Sequence, residues 1–391
     1  MITEKDLRPV WAEINLDKIK HNVKEVKNIV KKGTIICAVV KADAYGHGAI
    51  EIGDVLLKNG VDRFAVSTLE EAIQLRNNGY ITTSIMILGH TPKGHGEAVV
   101  DNDIIQTVYT YDQALYFSNL AKRKHKDVTI HLKLDTGMSR LGFLPSIQSL
   151  NEIKKIFELP NLMIEGIFTH LATAGEKNKD YTYKQFDMFM DFVDRLENEG
   201  YSIPIKHISN SAAVIDLPEM NLDMVRTGII LYGLYPSDHV DKERLKLKQA
   251  MELKARVSHV KILPRGYGVS YGSKYTTFDD EKIITIPIGY ADGYTRALSG
   301  KAEVIVGGSK IPVIGDICMD QCMASATNPD IKIGDEVILY SSRKGSGITI
   351  DDIANKIGTI NYEIICMLGK RVPRVYLENN NLLHIKDNLL I

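Results

Sequence analysis

The sequence predicts an α/β protein of two domains: an N-terminal (β/α)8 barrel over residues 1–245 and a C-terminal mainly-β domain over residues 246–391. Three observations lead there. Eight short apolar, β-branched runs recur in the first part of the chain. Amphipathic stretches separate most of them. After about residue 245 the pattern changes to strands divided by Gly, Pro and Asp turns.

In order, the eight runs are TIICAVV, DRFAVST, SIMILG, IIQTVYT, VTIHLKL, NLMIEGIFTH, IKHIS and DMVRTG. Strands that are apolar throughout, with helices between them, belong to a parallel sheet covered on both faces. Eight such units favour closure into a barrel over an open doubly wound sheet. STLEEAIQLRNNG and TYDQALYFSNLAKRKH read as intervening helices, the second with Thr110 and Asp112 as N-terminal capping types. Beyond the charged stretch 237–249, VGGSK at 306–310 reads as a hairpin turn. TIDDIANKIGT reads as one helix, with Thr349 as its cap and Asp351 and Asp352 in its first turn.

Composition narrows the function. With 48 basic and 49 acidic residues the net charge is −1, which argues against a nucleic-acid groove or a polybasic membrane patch. No run approaches the ~20 apolar residues of a membrane span. The charged start MITEKDLRPVWAEI lacks the apolar core of a signal peptide, so a cytoplasmic location is expected. Four scattered cysteines (Cys37, Cys318, Cys322 and Cys366) read as reduced thiols, and no metal site is expected.

In a (β/α)8 barrel the chemistry sits at the C-terminal ends of the strands. Lys41 ends the first run, and Lys133, Asp135 and Arg140 fall in and after the fifth. His170 ends the sixth, His207 lies in the seventh, and Arg226 and Gly228 lie in the eighth. A lysine there either reaches solvent or is desolvated enough for Schiff-base chemistry. In the second case Ser211 and Gly228 could cradle a phosphate, and Tyr45 could add a phenol. Arg226, inside an apolar run, is either a structural ion pair or a donor to a cofactor ring nitrogen. Arg140 could bind a carboxylate bidentately. GYGVSYGSKY, with Tyr267 and Tyr271, lacks the strand–turn–helix setting of a dinucleotide site.

The motifs AVVKADAYGHG, LDTGMSRLG, THLATA, HISNSAA, VRTGIILYG, VSYGSKY, IPIGYADG, GDICMDQ and INYEI, in this order, resemble those of the alanine racemase family over nearly the whole chain. The resemblance implies a pyridoxal 5′-phosphate enzyme, active as a homodimer, that interconverts L- and D-alanine and supplies D-alanine for peptidoglycan. It implies that Lys41 holds the cofactor and is one base, and that Tyr271 from the partner subunit is the other. Arg226 matches a donor to the ring nitrogen that leaves that nitrogen unprotonated. Tyr45, Ser211, Gly228, Ile229 and Tyr362 match phosphate contacts. Arg140 and the backbone at Met319 match substrate-carboxylate contacts, and Lys133 matches a lysine that relatives carry carbamylated. His170 and His207 match partners of Tyr271 and Arg226, while Tyr290 and Asp320 match positions around the entrance. The chain departs from the family at Gly175, where many relatives have aspartate, and at Ser139, where glycine is usual. Alternatives on related scaffolds are a serine or broad-specificity racemase, an amino-acid decarboxylase, and a non-enzymatic cofactor-binding barrel.

Overall fold

The computed structural model describes residues 7–342 and 347–390. The chain forms two compact units. One comprises Lys20–Ala44 and Ala49–Leu247, the other Met1–Ile19, Tyr45–Gly48 and Lys248–Ile391. The chain passes from the barrel unit to the β unit between Leu247 and Lys248, and two segments before residue 49 also fall in the β unit. Strand β1 (Val10–Asn15) lies between β10 (Met251–Arg256), to which it is antiparallel, and β19 (Arg374–Glu378), to which it is parallel. Tyr45–Gly48 is tied in by its carbonyls: Gly46 O accepts from Arg374 Nε at 3.1 Å and His47 O from the Tyr376 hydroxyl at 3.0 Å. Gly46 has φ +79°, and a Cβ there would lie 2.4 Å from the Ile365 carbonyl oxygen, so only glycine fits.

Among the described residues, the eight expected barrel strands form one parallel sheet. They are β2 (Ile35–Val39), β3 (Arg63–Val66), β4 (Ser84–Ile87), β5 (Ile105–Val108), β6 (Val128–Lys133), β7 (Leu162–Phe168), β8 (Ile205–His207) and β9 (Met224–Thr227). Their spatial order is β8-β7-β6-β5-β4-β3-β2-β9. The two edges meet, since Arg226 N–H donates to Ser209 O at 3.0 Å and Asp223 N–H to Lys206 O at 3.1 Å. The sheet is a barrel rather than an open array. Helix Tyr111–Lys124 starts where Thr110 accepts from Gln113 N–H, and it buries Ala114, Phe117, Leu120 and Ala121. A cap of this kind stabilises by about 1 kcal/mol.

The β unit holds a ten-stranded sheet. Besides β1, β10 and β19 it contains β11 (His259–Leu263), β14 (Glu281–Ile286), β15 (Glu303–Val306), β16 (Ser309–Ile314), β17 (Cys322–Ala326), β18 (Glu336–Tyr340) and β20 (Asn381–Lys386). The 306–310 turn is the two-residue hairpin expected, with Gly307 and Gly308 at φ +56° and +77°. A small ribbon, β12 (Gly268–Val269) with β13 (Tyr275–Thr276), stands apart from the main sheet. Helix Ile350–Ile357 has Thr349 as its cap, as expected, and Asp352 completes a capping box with it. A second helix, Asn361–Cys366, was not expected. At six residues it is too short for periodicity to reveal.

Candidate active site

Within the barrel unit, the candidate residues gather at the C-terminal strand ends. Lys41 follows β2 and opens an unusual turn: Ala42, Asp43, Ala44 and Tyr45 have φ of 52°, 51°, 54° and 54°. A left-handed run costs roughly 1–2 kcal/mol per non-glycine residue, so hydrogen bonds must hold it. Ala44 N–H donates to Val40 O at 2.9 Å, Ala42 N–H to Glu71 Oε1 at 2.6 Å, and Asp43 Oδ1 accepts from Ala49 N–H at 2.8 Å. The turn fixes where the lysine leaves the strand. After β6, Asp135 Oδ1 accepts from Gly137 and Ser139 N–H at 3.0 and 2.9 Å and shapes the loop that carries the exposed Arg140. Ser139 has φ +56°, which explains why glycine suits that position. Ser139→Gly is therefore expected to raise stability by up to about 1 kcal/mol in a denaturant titration; a loss would contradict the strain.

Arg226, on β9, is buried. Nη1 donates to His207 Nδ1 (2.9 Å) and His207 O (3.1 Å). Nη2 donates to Thr169 O (2.8 Å), Ile208 O (3.0 Å) and His170 Nδ1 (3.3 Å). Both terminal nitrogens are committed, and among the described residues none accepts from Nε. Burial lowers its pKa to about 10, which leaves it a cation at neutral pH. Behind it runs a buried chain. His207 Nε2 meets His131 Nδ1 at 2.8 Å, His131 Nε2 meets Glu165 Oε2 at 2.7 Å, and the same oxygen accepts from Arg63 Nη1 at 2.8 Å. Burial pushes the Glu165 pKa up, but the His131 and Arg63 hydrogen bonds outweigh it and hold the carboxyl at about 2.

Lys133 Nζ is buried without a hydrogen-bond partner among the described residues and sits 4.5 Å from the centre of the Phe168 ring, whose other neighbours include Arg226 at 5.2 Å and a stacked His207. Burial, then Arg226 and Arg140, hold its pKa well below the lysine range. Ser211 Oγ accepts from Gly228 N–H at 3.0 Å, and Ile229 opens the next helical turn. Gly175 is open: a Cβ there would touch Ser237 Oγ at 3.5 Å and Ala212 Cβ at 3.9 Å, which are ordinary contacts.

Burial, reinforced by Arg226, holds His170 and His207 well below the usual histidine pKa of 6.5, and burial lowers His131 despite Glu165. All three are neutral in the fold. Groups with depressed folded pKa values give stability that is complete above about 6.5 and lost as pH falls toward the folded values, at ~1.4 kcal/mol per pH unit for each histidine. The cofactor-free protein is thus expected to keep a constant melting temperature above neutrality and to lose it steeply toward about pH 5. A flat profile through that window would contradict the neutral assignment.

The β unit carries the remaining candidates. Tyr45 lies beside Tyr362, with ring centres 6.1 Å apart. Burial raises both phenols well above the ordinary tyrosine pKa, so both stay protonated donors. Tyr271 sits at the tip of the β12–β13 ribbon and is 72% exposed. The ribbon is pinned by Ser270 Oγ, which donates to Asp316 O at 2.6 Å, and by Lys274 Nζ on Asp316 Oδ1 at 3.0 Å; Arg296 Nη2 holds Oδ2 at 2.6 Å. Tyr271, Met319 and Asp320 line an open groove of about 500 Å³. Tyr290 N–H donates to Cys318 O at 3.1 Å, and Asp320 pairs with Arg371 at 2.8 Å. Glu165, His131, Arg63 and Asp316 escaped the sequence reading. The one available signal was a lone acid inside the apolar run NLMIEGIFTH.

A barrel mouth with a lysine at a strand end and the guanidinium groups of Arg226 and Arg140 beyond neighbouring strands suits a small anionic ligand. Comparisons with known proteins make this specific. The family models "Alanine racemase, N-terminal domain" and "Alanine racemase, C-terminal domain" match residues 14–236 and 250–376. The alanine racemase of Clostridium novyi is 50% identical over 385 residues, which is 98% of this chain and 99% of that one. The solved alanine racemase of Clostridium difficile superposes with a TM-score of 0.94 at 47% identity, covering 100% of both chains. The same enzyme in complex with cycloserine gives 0.93 at 46% identity, again over 100% of both chains. The chain belongs to the alanine racemase family, a family of isomerases.

Proposed function

We propose that this protein interconverts L- and D-alanine with pyridoxal 5′-phosphate by a two-base mechanism, as a cytoplasmic homodimer that supplies D-alanine for peptidoglycan. No helix among the described residues is long and apolar enough to cross a membrane. The observation that carries the cofactor reading is Arg226. Both terminal nitrogens are committed to acceptors, Nε–H has none among the described residues, and a neutral ring nitrogen is the acceptor it suits. When bound, the cofactor supplies the electron withdrawal that acidifies the substrate's Cα–H.

The chain's own residues do the rest. Lys41 anchors the cofactor and moves the proton on the face from which D-alanine loses it. Tyr271 of the partner subunit moves it on the other face, and the exposure of Tyr271 at a ribbon tip supports a role in a second copy's site. Racemisation needs both, because the proton must leave one face and return to the other. The Ser211 hydroxyl, the amides at Gly228 and Ile229, and the protonated phenols of Tyr45 and Tyr362 hold the phosphate. Arg140 and the Met319 backbone hold the substrate carboxylate. His207 and His170 accept from Arg226 and steady it, and Tyr290 and Asp320 flank the entrance. Purified protein loaded with the cofactor should convert L-alanine into an equal mixture of enantiomers by chiral chromatography; no D-alanine would refute the reading. The open position at Gly175 favours some turnover of L-serine in the same assay, and one extra polar group is worth only ~1–3 kcal/mol of selectivity in a pocket of this size.

Lys133 takes up carbon dioxide in this account. Its neutral amine attacks the carbon and loses a proton, and the resulting carbamate gives Arg140 an anionic partner. Carbon-13 bicarbonate should then produce a carbamate resonance that Lys133→Ala lacks. No such resonance in the wild-type protein would contradict it.

A further inference from the structure

We propose that Glu165 is a positioning residue for the reaction, acting on Arg226 through His131 and His207 by fixing which way their hydrogen bonds run. This rests on the functional reading above, and it deepens the role of the same site.

An ionised carboxylate only accepts, and a guanidinium only donates. Glu165 therefore requires the proton of His131 to be on Nε2. That leaves His131 Nδ1 as an acceptor, so His207 must carry its proton on Nε2, and His207 Nδ1 is left as an acceptor facing Arg226 Nη1. The distances of 2.7, 2.8 and 2.9 Å are all satisfied by this single arrangement. The opposite polarity would put an N–H of His207 against the guanidinium and a bare nitrogen of His131 against the carboxylate. Glu165 and Arg226, the two ends, exclude it together. Arg63 completes the far end by neutralising Glu165 through the same oxygen that His131 uses.

The fold makes room for this chain. The β6–β7 register shifts between Ile130 and His131. Opposite the ring stands Gly166, where a Cβ would lie 2.5 Å from His131 Cε1 and Nδ1. Glu165 is the residue before that glycine. A bulge, a glycine and a lone acid on neighbouring strands thus serve one imidazole. The consequence reaches the mouth: with His207 Nδ1 fixed as acceptor, the guanidinium keeps one orientation and its Nε–H one direction.

The test compares holoenzyme of wild type, Glu165→Gln and Glu165→Leu. The glutamine oxygen can occupy the shared acceptor position, and leucine cannot. Nitrogen-15 NMR of labelled histidines reads the tautomers, and steady-state kinetics reads kcat and KM. Wild type and Glu165→Gln should show His131 and His207 protonated at Nε2 alone, with similar kcat. Glu165→Leu should lose the single His131 tautomer, with protonation at His131 Nδ1 breaking its bond from His207, and lose roughly 10- to 100-fold in kcat with KM for alanine unchanged. Glu165→Leu with an intact tautomer or full kcat overturns the proposal, as does Glu165→Gln falling as far as Glu165→Leu. If Glu165→Leu does not fold, His131→Leu breaks the chain one step nearer, and full kcat there overturns it too. A wild-type protein that racemises nothing would refute the function instead, while protonation at His207 Nδ1 in wild type overturns this proposal on its own.

Discussion

Lys41→Ala is expected to abolish racemisation. Loss of a positioned proton-transfer group alone costs roughly 10²–10⁴-fold, and the variant also loses the covalent hold on the cofactor. Borohydride treatment followed by peptide mapping should fix the cofactor to the peptide containing Lys41 in wild type and to no peptide in the variant. The strained residues begin at Ala42, and backbone groups with the Asp43 and Glu71 carboxylates hold them, so the turn should survive. A variant that folds, retains the covalently fixed cofactor and racemises alanine would place the chemistry on another residue.

Tyr271→Phe is expected to separate exchange from racemisation. Lys41 still reaches one face, so D-alanine in heavy water should gain deuterium at Cα. Without the phenol on the other face, L-alanine formation should fall by roughly 10²–10⁴-fold. Folding should be unaffected, since the side chain is exposed at a ribbon held by Ser270, Lys274 and Asp316. Retention of full racemisation would remove Tyr271 from the mechanism. Loss of exchange from D-alanine as well would mean that the two faces are not served independently.

The barrel was legible because its eight strands are buried on both sides and so read as unbroken apolar runs. Lys41, Lys133 and Arg226 stood out for the same reason, as charges where such runs end or are interrupted. What the sequence hid is non-local. Strand β1 looks like any other apolar strand, and only its pairing with β10 and β19 assigns it to the β unit. The left-handed turn at 42–45 contains no glycine until Gly46, so local preference points away from it, and hydrogen bonds to Val40 O and the Glu71 carboxylate and from Ala49 N–H impose it. The Glu165–His131–His207–Arg226 chain draws one residue from each of β7, β6, β8 and β9. Each is an isolated polar residue in sequence, and only barrel closure brings them within hydrogen-bonding distance. His170 joins them only through the fold as well, accepting from Arg226.

The central claim is two bases on opposite faces of one carbon. The most direct measurement is a time course of L-alanine with the cofactor-loaded wild-type protein in heavy water, followed by proton NMR and chiral chromatography. D-alanine should appear from the earliest points with deuterium at Cα, because the incoming proton comes from a different, solvent-exchanged base. D-alanine that keeps its original α-proton would mean that one base carries the proton across, and would contradict the account.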